Sequence, residues 1–183
     1  MDLNDMGNFI GERVVLVDEQ DREIGSMEKM QAHRAGMLHR AFSIFLFDPQ
    51  GRTLLQQRAH GKYHTPGLWS NACCSHVRPG EAVQAAAHRR LREELGADCE
   101  LDKRFVFTYK AEVGNGLVEH EVDHVLFGTS AGPFRPSPDE VADLRWAEPD
   151  ALERELQERP EDFTPWLRII WPAVRRLLKV PQP

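Results

Sequence analysis

The stretch that decides the fold is Glu81–Gly96, which reads EAVQAAAHRRLREELG. Pro79-Gly80 precede it and form a turn signal, while Gly96 stands where a residue in the left-handed conformation ends many helices. Between these limits an apolar residue recurs at every fourth position: Val83, Ala87, Leu91 and Leu95. The pattern predicts an amphipathic helix that packs one face against a core and ends at Gly96.

Strand-like segments lie on both sides of this helix. They are rich in β-branched and aromatic residues, and we expect strands at Arg13–Val17, Ala41–Phe47, Thr53–Arg58, Arg104–Glu112, Leu117–Phe127 and Leu144–Trp146. Further helices are predicted over Pro149–Glu158 and from Thr164-Pro165 onward, with Pro172 expected to kink or break the last one. Residues 128–140 are rich in turn formers and predict a surface loop. This order predicts an α+β fold around a mixed sheet.

Length and composition narrow the class of protein. The chain has 183 residues, enough for a single domain (1–183), and its net charge of −6 argues against a general nucleic-acid binder. No apolar run approaches the roughly 20 residues that cross a bilayer. The N-terminal MDLNDMGNFIGER lacks the basic and apolar regions of a secretory signal. Three cysteines are too few for a disulfide framework, so we expect a cytoplasmic protein.

Histidines and glutamates supply candidate metal ligands. The eight histidines all lie between positions 33 and 124, and three have suggestive neighbours: His33, His39 and His76. Glu119 and Glu121 are two apart on a predicted strand and so share one face, where burial would be costly without a cation. Such a nitrogen and oxygen set suits Mn²⁺, Mg²⁺ or Zn²⁺. A second interpretation stays open: a solvated glutamate face with scattered surface histidines. We expect five histidines not to be ligands: His60, His64, His88, His120 and His124.

Cysteines and basic residues are further candidates for catalysis and substrate binding. Cys73 and Cys74 are consecutive, so only one can face a pocket, and Cys74 shares the face of His76. A thiol beside a metal site can act as an acid or base, although Cys-x-His alone is weak support. Cys99 is expected to be a small buried hydrophobe. Three cations could clamp a diphosphate or be ordinary surface charges: Lys29, Arg58 and Lys62.

The stretch from Ser75 to Gly96 resembles the Nudix box, Gly-x5-Glu-x7-Arg-Glu-U-x-Glu-Glu-x-Gly, in which U is a bulky aliphatic residue. Six positions match in register: Glu81, Arg89, Leu91, Glu93, Glu94 and Gly96. Ser75 replaces the first glycine, and Arg90 replaces a glutamate that belongs to the metal-binding cluster of Nudix hydrolases. The resemblance implies an α/β/α sandwich, and Arg90 argues against diphosphate hydrolysis.

The departures are similar to those of the type 1 isopentenyl-diphosphate isomerases, a branch of the Nudix superfamily, over roughly residues 12–170. Several motifs agree: EKMQAH, LHRAF, RAHGK, WSNACCSH and VEHEV. Val77 and Ser70 depart from the usual proline and threonine. The resemblance implies that Cys74 and Glu121 are catalytic, with Tyr109 beside Glu121. It implies metal-binding residues at His33, His39, His76, Glu119, Glu121 and Cys74, with Glu94 holding a second Mg²⁺ that arrives with the diphosphate. It implies substrate contacts at Lys29, Arg58, Lys62 and Trp166.

The activity implied is interconversion of isopentenyl diphosphate and dimethylallyl diphosphate through a carbocation-like state, a supply step of isoprenoid synthesis. The expected cofactors are Mg²⁺ and Mn²⁺, with Zn²⁺ as a third option at the His/Glu site, and the expected assembly is a monomer. Trp69 is a second candidate, besides Trp166, for stabilising the cation. Two other functions stay open: a Nudix hydrolase of nucleotide or isoprenoid diphosphates, and a non-catalytic Nudix-fold sensor of a phosphorylated ligand.

Overall fold

The computed structural model describes residues 11–179, so the expectation about the N-terminal leader falls largely outside the described residues. Within this range the chain forms nine strands: β1 (Arg13–Val17), β2 (Glu23–Glu28), β3 (His39–Phe47), β4 (Thr53–Arg58), β5 (Trp69–Asn71), β6 (Cys73–His76), β7 (Leu101–Gly114), β8 (Leu117–Thr129) and β9 (Val141–Ala147). The helices over the same range are α1 (Lys29–Ala35), α2 (Val83–Leu95), α3 (Pro149–Glu158) and α4 (Pro165–Lys179), with a 3-10 turn at Pro160–Asp162.

Strand β3 organises the sheet. It pairs in parallel with β8 and antiparallel with β1, β4 and β6, so the expected mixed sheet is confirmed. Residues 41–44 pair with both β6 and β8, which places β3 between these two strands. The adjoining pairs are antiparallel: β1 with β2, β4 with β5 and β9, and β7 with β8.

Side chains of β3 alternate between two cores on opposite faces of the sheet. Ile44 and Leu46 lie in one core with Leu91 and Leu95 of α2. Phe45 and Phe47 lie in the other core, with five buried residues of α4: Trp166, Leu167, Ile170, Trp171 and Val174. Both faces are thus covered by helices, as expected for an α/β/α sandwich.

The predicted helix α2 is confirmed. Its residues Ala87, Leu91 and Leu95 are completely buried, and Gly96 ends it in the left-handed conformation with φ of 60°. A Cβ at Gly96 would also lie only 2.7 Å from the carbonyl oxygen of Arg135, so two constraints favour glycine there.

Most of the predicted strands and helices are confirmed, two strands and α3 with the predicted bounds. The expected strand at 144–146 is longer in the structure, and four elements were not predicted: β2, α1, β5 and β6. Of the two outcomes expected at Pro172, a break is wrong, because α4 continues through it to Lys179, and a kink stays a prediction. Ile170, Trp171 and Val174 are buried on both sides of the proline, and their packing holds the helix together.

Candidate active site

Helix α1 positions the first two functional side chains. Glu28 caps it by accepting hydrogen bonds from the backbone N–H of Met30 and Gln31. Lys29 and His33 lie four residues apart on one face, and both are buried. His33 Nδ1 lies 2.7 Å from the Lys29 carbonyl oxygen, which can only accept. The ring therefore carries its hydrogen on Nδ1 and presents the lone pair of Nε2 to the interior.

The central strands bring three more candidate ligands to the same place. His39 of β3 lies opposite Glu121 of β8, and His76 of β6 lies opposite Ala41 of β3. His39 Nδ1 lies 2.7 Å from the Met37 carbonyl oxygen, so its Nε2 is also a lone-pair nitrogen. Nε2 of His76 and of His39 lie 2.9 and 3.5 Å from Glu121 Oε1.

These side chains form a group that could hold a metal ion. One donor atom from each of His33, His39, His76 and Glu121 lies within 4.8 Å of the others, and all four residues are buried. The Nε2 atoms of His33 and His39 have no hydrogen-bond partner among the described residues. The lone pair of His39 also faces a carboxylate oxygen, an arrangement that is repulsive without a cation. The donor set fits a divalent metal ion, with backbone carbonyls fixing two of the imidazoles.

The two carboxylates of β8 are joined by a phenol. The Tyr109 hydroxyl lies 2.8 Å from Oε2 of both Glu119 and Glu121. Burial, together with the neighbouring charge of Glu121, raises the pKa of Glu119 well above its ordinary value. Burial opposes ionisation of Glu121 too, but the hydrogen bond with His76 at 2.9 Å holds its pKa well below the ordinary value. Without a metal, one carboxylic acid and one carboxylate therefore stand side by side.

His64 is the residue that sequence reasoning missed. Its side chain is 3% exposed, and Nε2 lies 3.3 Å from Glu119 Oε1. With His33 and Glu119 it forms a second group of potential metal ligands, although we expected it not to be a ligand. Burial and the charge of Arg58 lower its pKa, so the ring is neutral. The loop RAHGKYHTPG (58–67) has no apolar period that could have indicated a buried histidine. His120 and His124 instead contact the Gly36 carbonyl and Asp21, away from the glutamates, as expected.

The two consecutive cysteines diverge as expected. Cys73 is buried in the core of α2, whereas Cys74 packs on the opposite side and lines a cleft with His76. The Cys74 thiol lies 2.9 Å from Asn71 Oδ1, and burial raises its pKa, so it is protonated at neutral pH. It belongs to neither group of potential metal ligands among the described residues.

The cleft itself joins the acids to a cationic wall. Residues from eight strands and helices and one loop line it, including Cys74, Tyr109, Glu119, Glu121, Lys29, Arg58, Lys62, Arg90 and Trp166. Trp166 is held by a hydrogen bond from Nε1 to Ser70 Oγ of 2.9 Å, with Arg58 over its ring at 5.2 Å. Trp69 is not part of this lining, and the Arg145 guanidinium lies 4.7 Å from its ring centroid.

The predicted second metal residue, Glu94, lies behind Arg90. Its carboxylate accepts hydrogen bonds from Arg90 at 2.7 Å and from Gln56 at 3.2 Å, and it is 3% exposed. Arg90 and Lys62 both also contact Glu140. The cations of the cleft wall are therefore partly neutralised by acids behind them.

Comparisons with known proteins agree with this arrangement. A NUDIX domain family matches residues 37–167. Isopentenyl-diphosphate Delta-isomerase 2 of Aromatoleum aromaticum is 53% identical over 85% of this chain and 82% of its own length. Isopentenyl-diphosphate Delta-isomerase of Serratia proteamaculans is 49% identical over 87% and 89%, respectively.

Solved structures give the same fold at lower identity. Deinococcus radiodurans DR0079 superposes with a TM-score of 0.76 at 21% identity, over 88% of this chain and 98% of its own. The MutT protein of Methanosarcina mazei gives 0.63 at 17% identity, over 78% and 96%. No helix within residues 11–179 is long and apolar enough to cross a membrane. From the family match and the identity of its relatives, the chain belongs to the isopentenyl-diphosphate Delta-isomerases of the NUDIX family.

Proposed function

We propose that this chain interconverts isopentenyl diphosphate and dimethylallyl diphosphate by adding a proton to one carbon and removing a proton from another. The observation that carries the proposal is one cleft lined by the Cys74 thiol, the Glu121 carboxylate and a wall of cations. Moving a double bond by one position requires one acid and one base in reach of the same substrate. The names of the relatives state the same isomerisation.

Cys74 and Glu121 are the proposed acid and base. They lie on β6 and β8, the two strands that flank β3, so they approach the cleft from different strands. In one direction of reaction one group donates a proton to the alkene and the other removes a proton from the neighbouring carbon. The reverse reaction exchanges the two roles, and Tyr109 holds Glu121 by its hydrogen bond.

Trp166 is the proposed partner of the carbocation-like state. The negative face of an aromatic ring stabilises a cation by about 2 kcal/mol or more where water is excluded. The hydrogen bond to Ser70 fixes the orientation of the indole. Because Arg58 lies over one face of the ring, the substrate would use the other face.

The diphosphate is assigned to the cationic wall. Lys29, Arg58 and Lys62 would bind its oxygens by charge-assisted hydrogen bonds, which position the hydrocarbon end near the thiol. The metal-binding donors would be His33, His39, His76, Glu119 and Glu121, with Mn²⁺, Mg²⁺ or Zn²⁺ as the ion and a second Mg²⁺ on Glu94. The bound cation would supply positive charge that lowers the proton affinity of Glu121. We further propose a single domain that acts as a cytoplasmic monomer, and light scattering over a range of protein concentrations tests the monomer.

Proton NMR in D₂O tests the proposed reaction. Purified protein is incubated with isopentenyl diphosphate and Mg²⁺, and proton and phosphorus spectra are recorded on the same sample. We expect dimethylallyl diphosphate with incorporated deuterium and an intact diphosphate. Release of phosphate or pyrophosphate from an unchanged carbon skeleton would identify a hydrolase instead, and unchanged spectra with confirmed metal loading would leave a binding protein.

A further inference from the structure

His64 lies between the proposed diphosphate clamp and the proposed metal site. Its Nδ1 lies 3.4 Å from Arg58 Nη2 and 3.1 Å from Thr65 Oγ1. Its Nε2 lies 3.3 Å from Glu119 Oε1, without a hydrogen bond of good geometry among the described residues. A small rotation of either side chain would turn this second contact into a hydrogen bond.

Hydrogen-bond directions separate His64 from the histidines around it. In His33 and His39 a backbone carbonyl accepts from Nδ1, so Nε2 has the lone pair. At His64 the neighbours of Nδ1 are the Arg58 guanidinium, which can only donate, and the Thr65 hydroxyl, which can also donate. Nδ1 of His64 is therefore the acceptor, and the neutral ring has its hydrogen on Nε2, directed at Glu119.

We propose that His64 is a positioning residue that links Arg58 to Glu119, holding this carboxylate at the metal site by donating its Nε2 hydrogen and not by binding the metal. The inference rests on the proposed function only in assigning Arg58 to the diphosphate. Since an imidazole with a hydrogen on Nε2 has no lone pair on that atom, the group of His33, His64 and Glu119 does not hold a second ion. Tyr109 contacts the other oxygen of Glu119, so the carboxylate is oriented from both sides.

Nitrogen NMR of the full-length, ¹⁵N-labelled protein tests the tautomer directly. Side-chain correlation spectra distinguish a ring with its hydrogen on Nε2 from one with its hydrogen on Nδ1, and His64→Gln assigns the signals by their absence. We expect the Nε2–H form in the metal-free protein and in the protein loaded with Zn²⁺ or ¹¹³Cd²⁺. Hydrogen on Nδ1, or scalar coupling between ¹¹³Cd and His64 Nε2, would overturn the proposal.

A matched pair of variants tests the role. The amide of His64→Gln can reach the position of Nε2 and still donate to Glu119, whereas His64→Asn ends near the position of Nδ1 and keeps only the Arg58 contact. Loss of a partner that orients a metal ligand typically costs about 10–100-fold in affinity. We therefore expect His64→Asn to weaken Zn²⁺ binding, measured by chelator competition, by about that factor, and His64→Gln to bind close to the native affinity.

The outcomes remain distinct from those of the isomerase assay, because neither the tautomer nor Zn²⁺ affinity needs turnover. Equal losses in both variants would indicate that His64 is itself a ligand, and no loss in either would indicate a structural residue; each result overturns the proposal. Where isomerisation is observed, His64→Asn should lower kcat while KM changes little, since Arg58 keeps its partner. Circular dichroism confirms that both variants are folded.

Discussion

Two groups of glutamates in this molecule have opposite surroundings. Just before α2, Glu81 contacts Arg89 of the helix at 2.7 Å, and on α2 itself Glu93 and Glu94 contact Arg90 at 2.8 and 2.7 Å. On β8, by contrast, the carboxylates of Glu119 and Glu121 are surrounded by imidazoles and one phenol. The acids of the helix region are paired with arginines of the same helix, Arg89 and Arg90. The acids of the strand are instead surrounded by imidazoles and a phenol, so a cation from solution can bind between them.

The difference explains how one fold can serve a different chemistry. Arg90 stands in the helix where the Nudix box has a glutamate, and its guanidinium neutralises the acids that remain. The buried carboxylates that could bind a metal are instead Glu119 and Glu121 on β8. Because burial removes their hydration, an unpaired carboxylate there is costly, and a bound cation would offset this cost. Four experiments can break or sharpen this comparison.

The largest effect is expected from the strand acid and the thiol. Glu121→Gln removes the proposed base while keeping its shape, and Cys74→Ala removes the proposed acid. We expect each to reduce kcat by about 10²–10⁴-fold or more, the usual contribution of a positioned acid or base, with little change in circular dichroism. Turnover within tenfold of the native protein in either variant would remove that residue from the chemistry.

Removal of metal should have the next largest effect on activity and stability, because it acts on the site around Glu119 and Glu121 of β8. At a metal concentration 100 times the Kd, binding stabilises a folded protein by about 2.7 kcal/mol. We expect dialysis against a chelator to abolish isomerisation and lower the thermal midpoint, and re-addition of Mn²⁺, Mg²⁺ or Zn²⁺ to restore both. His39→Ala should no longer show this metal-dependent shift, and a shift that survives in it would contradict the site.

Arg90→Gln tests the helix group. Glu94 is nearly buried and would lose its cationic partner, a change that costs about 3–5 kcal/mol for fully buried pairs and less here because the Arg90 side chain is 15% exposed. We expect a loss of about 2 kcal/mol in the free energy of unfolding and a higher KM. Urea denaturation and steady-state kinetics measure these changes, and an unchanged midpoint would show that the pair does not stabilise the fold.

The smallest effect is expected from Glu93→Gln. The Glu93 side chain is 41% exposed, and exposed ion pairs contribute about 0–1 kcal/mol. We expect metal affinity and kcat to stay within about twofold of the native protein, which makes this variant the matched control for Glu121→Gln. A tenfold loss of metal affinity in Glu93→Gln would mean that the helix acids, and not the strand acids, bind the metal.

The sequence predicted those parts of the molecule that have a regular spacing of apolar residues or a recognisable motif. Helix α2 was readable from its apolar stripe and Gly96, and the shared face of Glu119 and Glu121 followed from the alternation of a strand. In contrast, β2 is an exposed strand and α1 has only seven residues, so neither has a period long enough to identify it. His64 was missed for the same reason, since its position depends on a loop that folds back onto β8.

Contacts distant in sequence could not be derived from spacing. That His39 faces Glu121 depends on the parallel register of β3 and β8, and the ligand set was available in advance only through the family resemblance. The error at Pro172 has a different origin. Proline lacks a backbone N–H and therefore usually breaks a helix. In α4 the buried residues on both sides of Pro172 stabilise the helix by more than this loss.

The parallel pairing of β3 with β8 also has a consequence for biosynthesis. During translation His33, His39 and His76 are all made long before Glu121, and the helix α2 and strand β7 lie between them. The proposed ligands come together only after β8 has been made and has paired with β3 in the correct register. A metal ion bound by all of them would therefore enter the site late in synthesis, after β8 has docked.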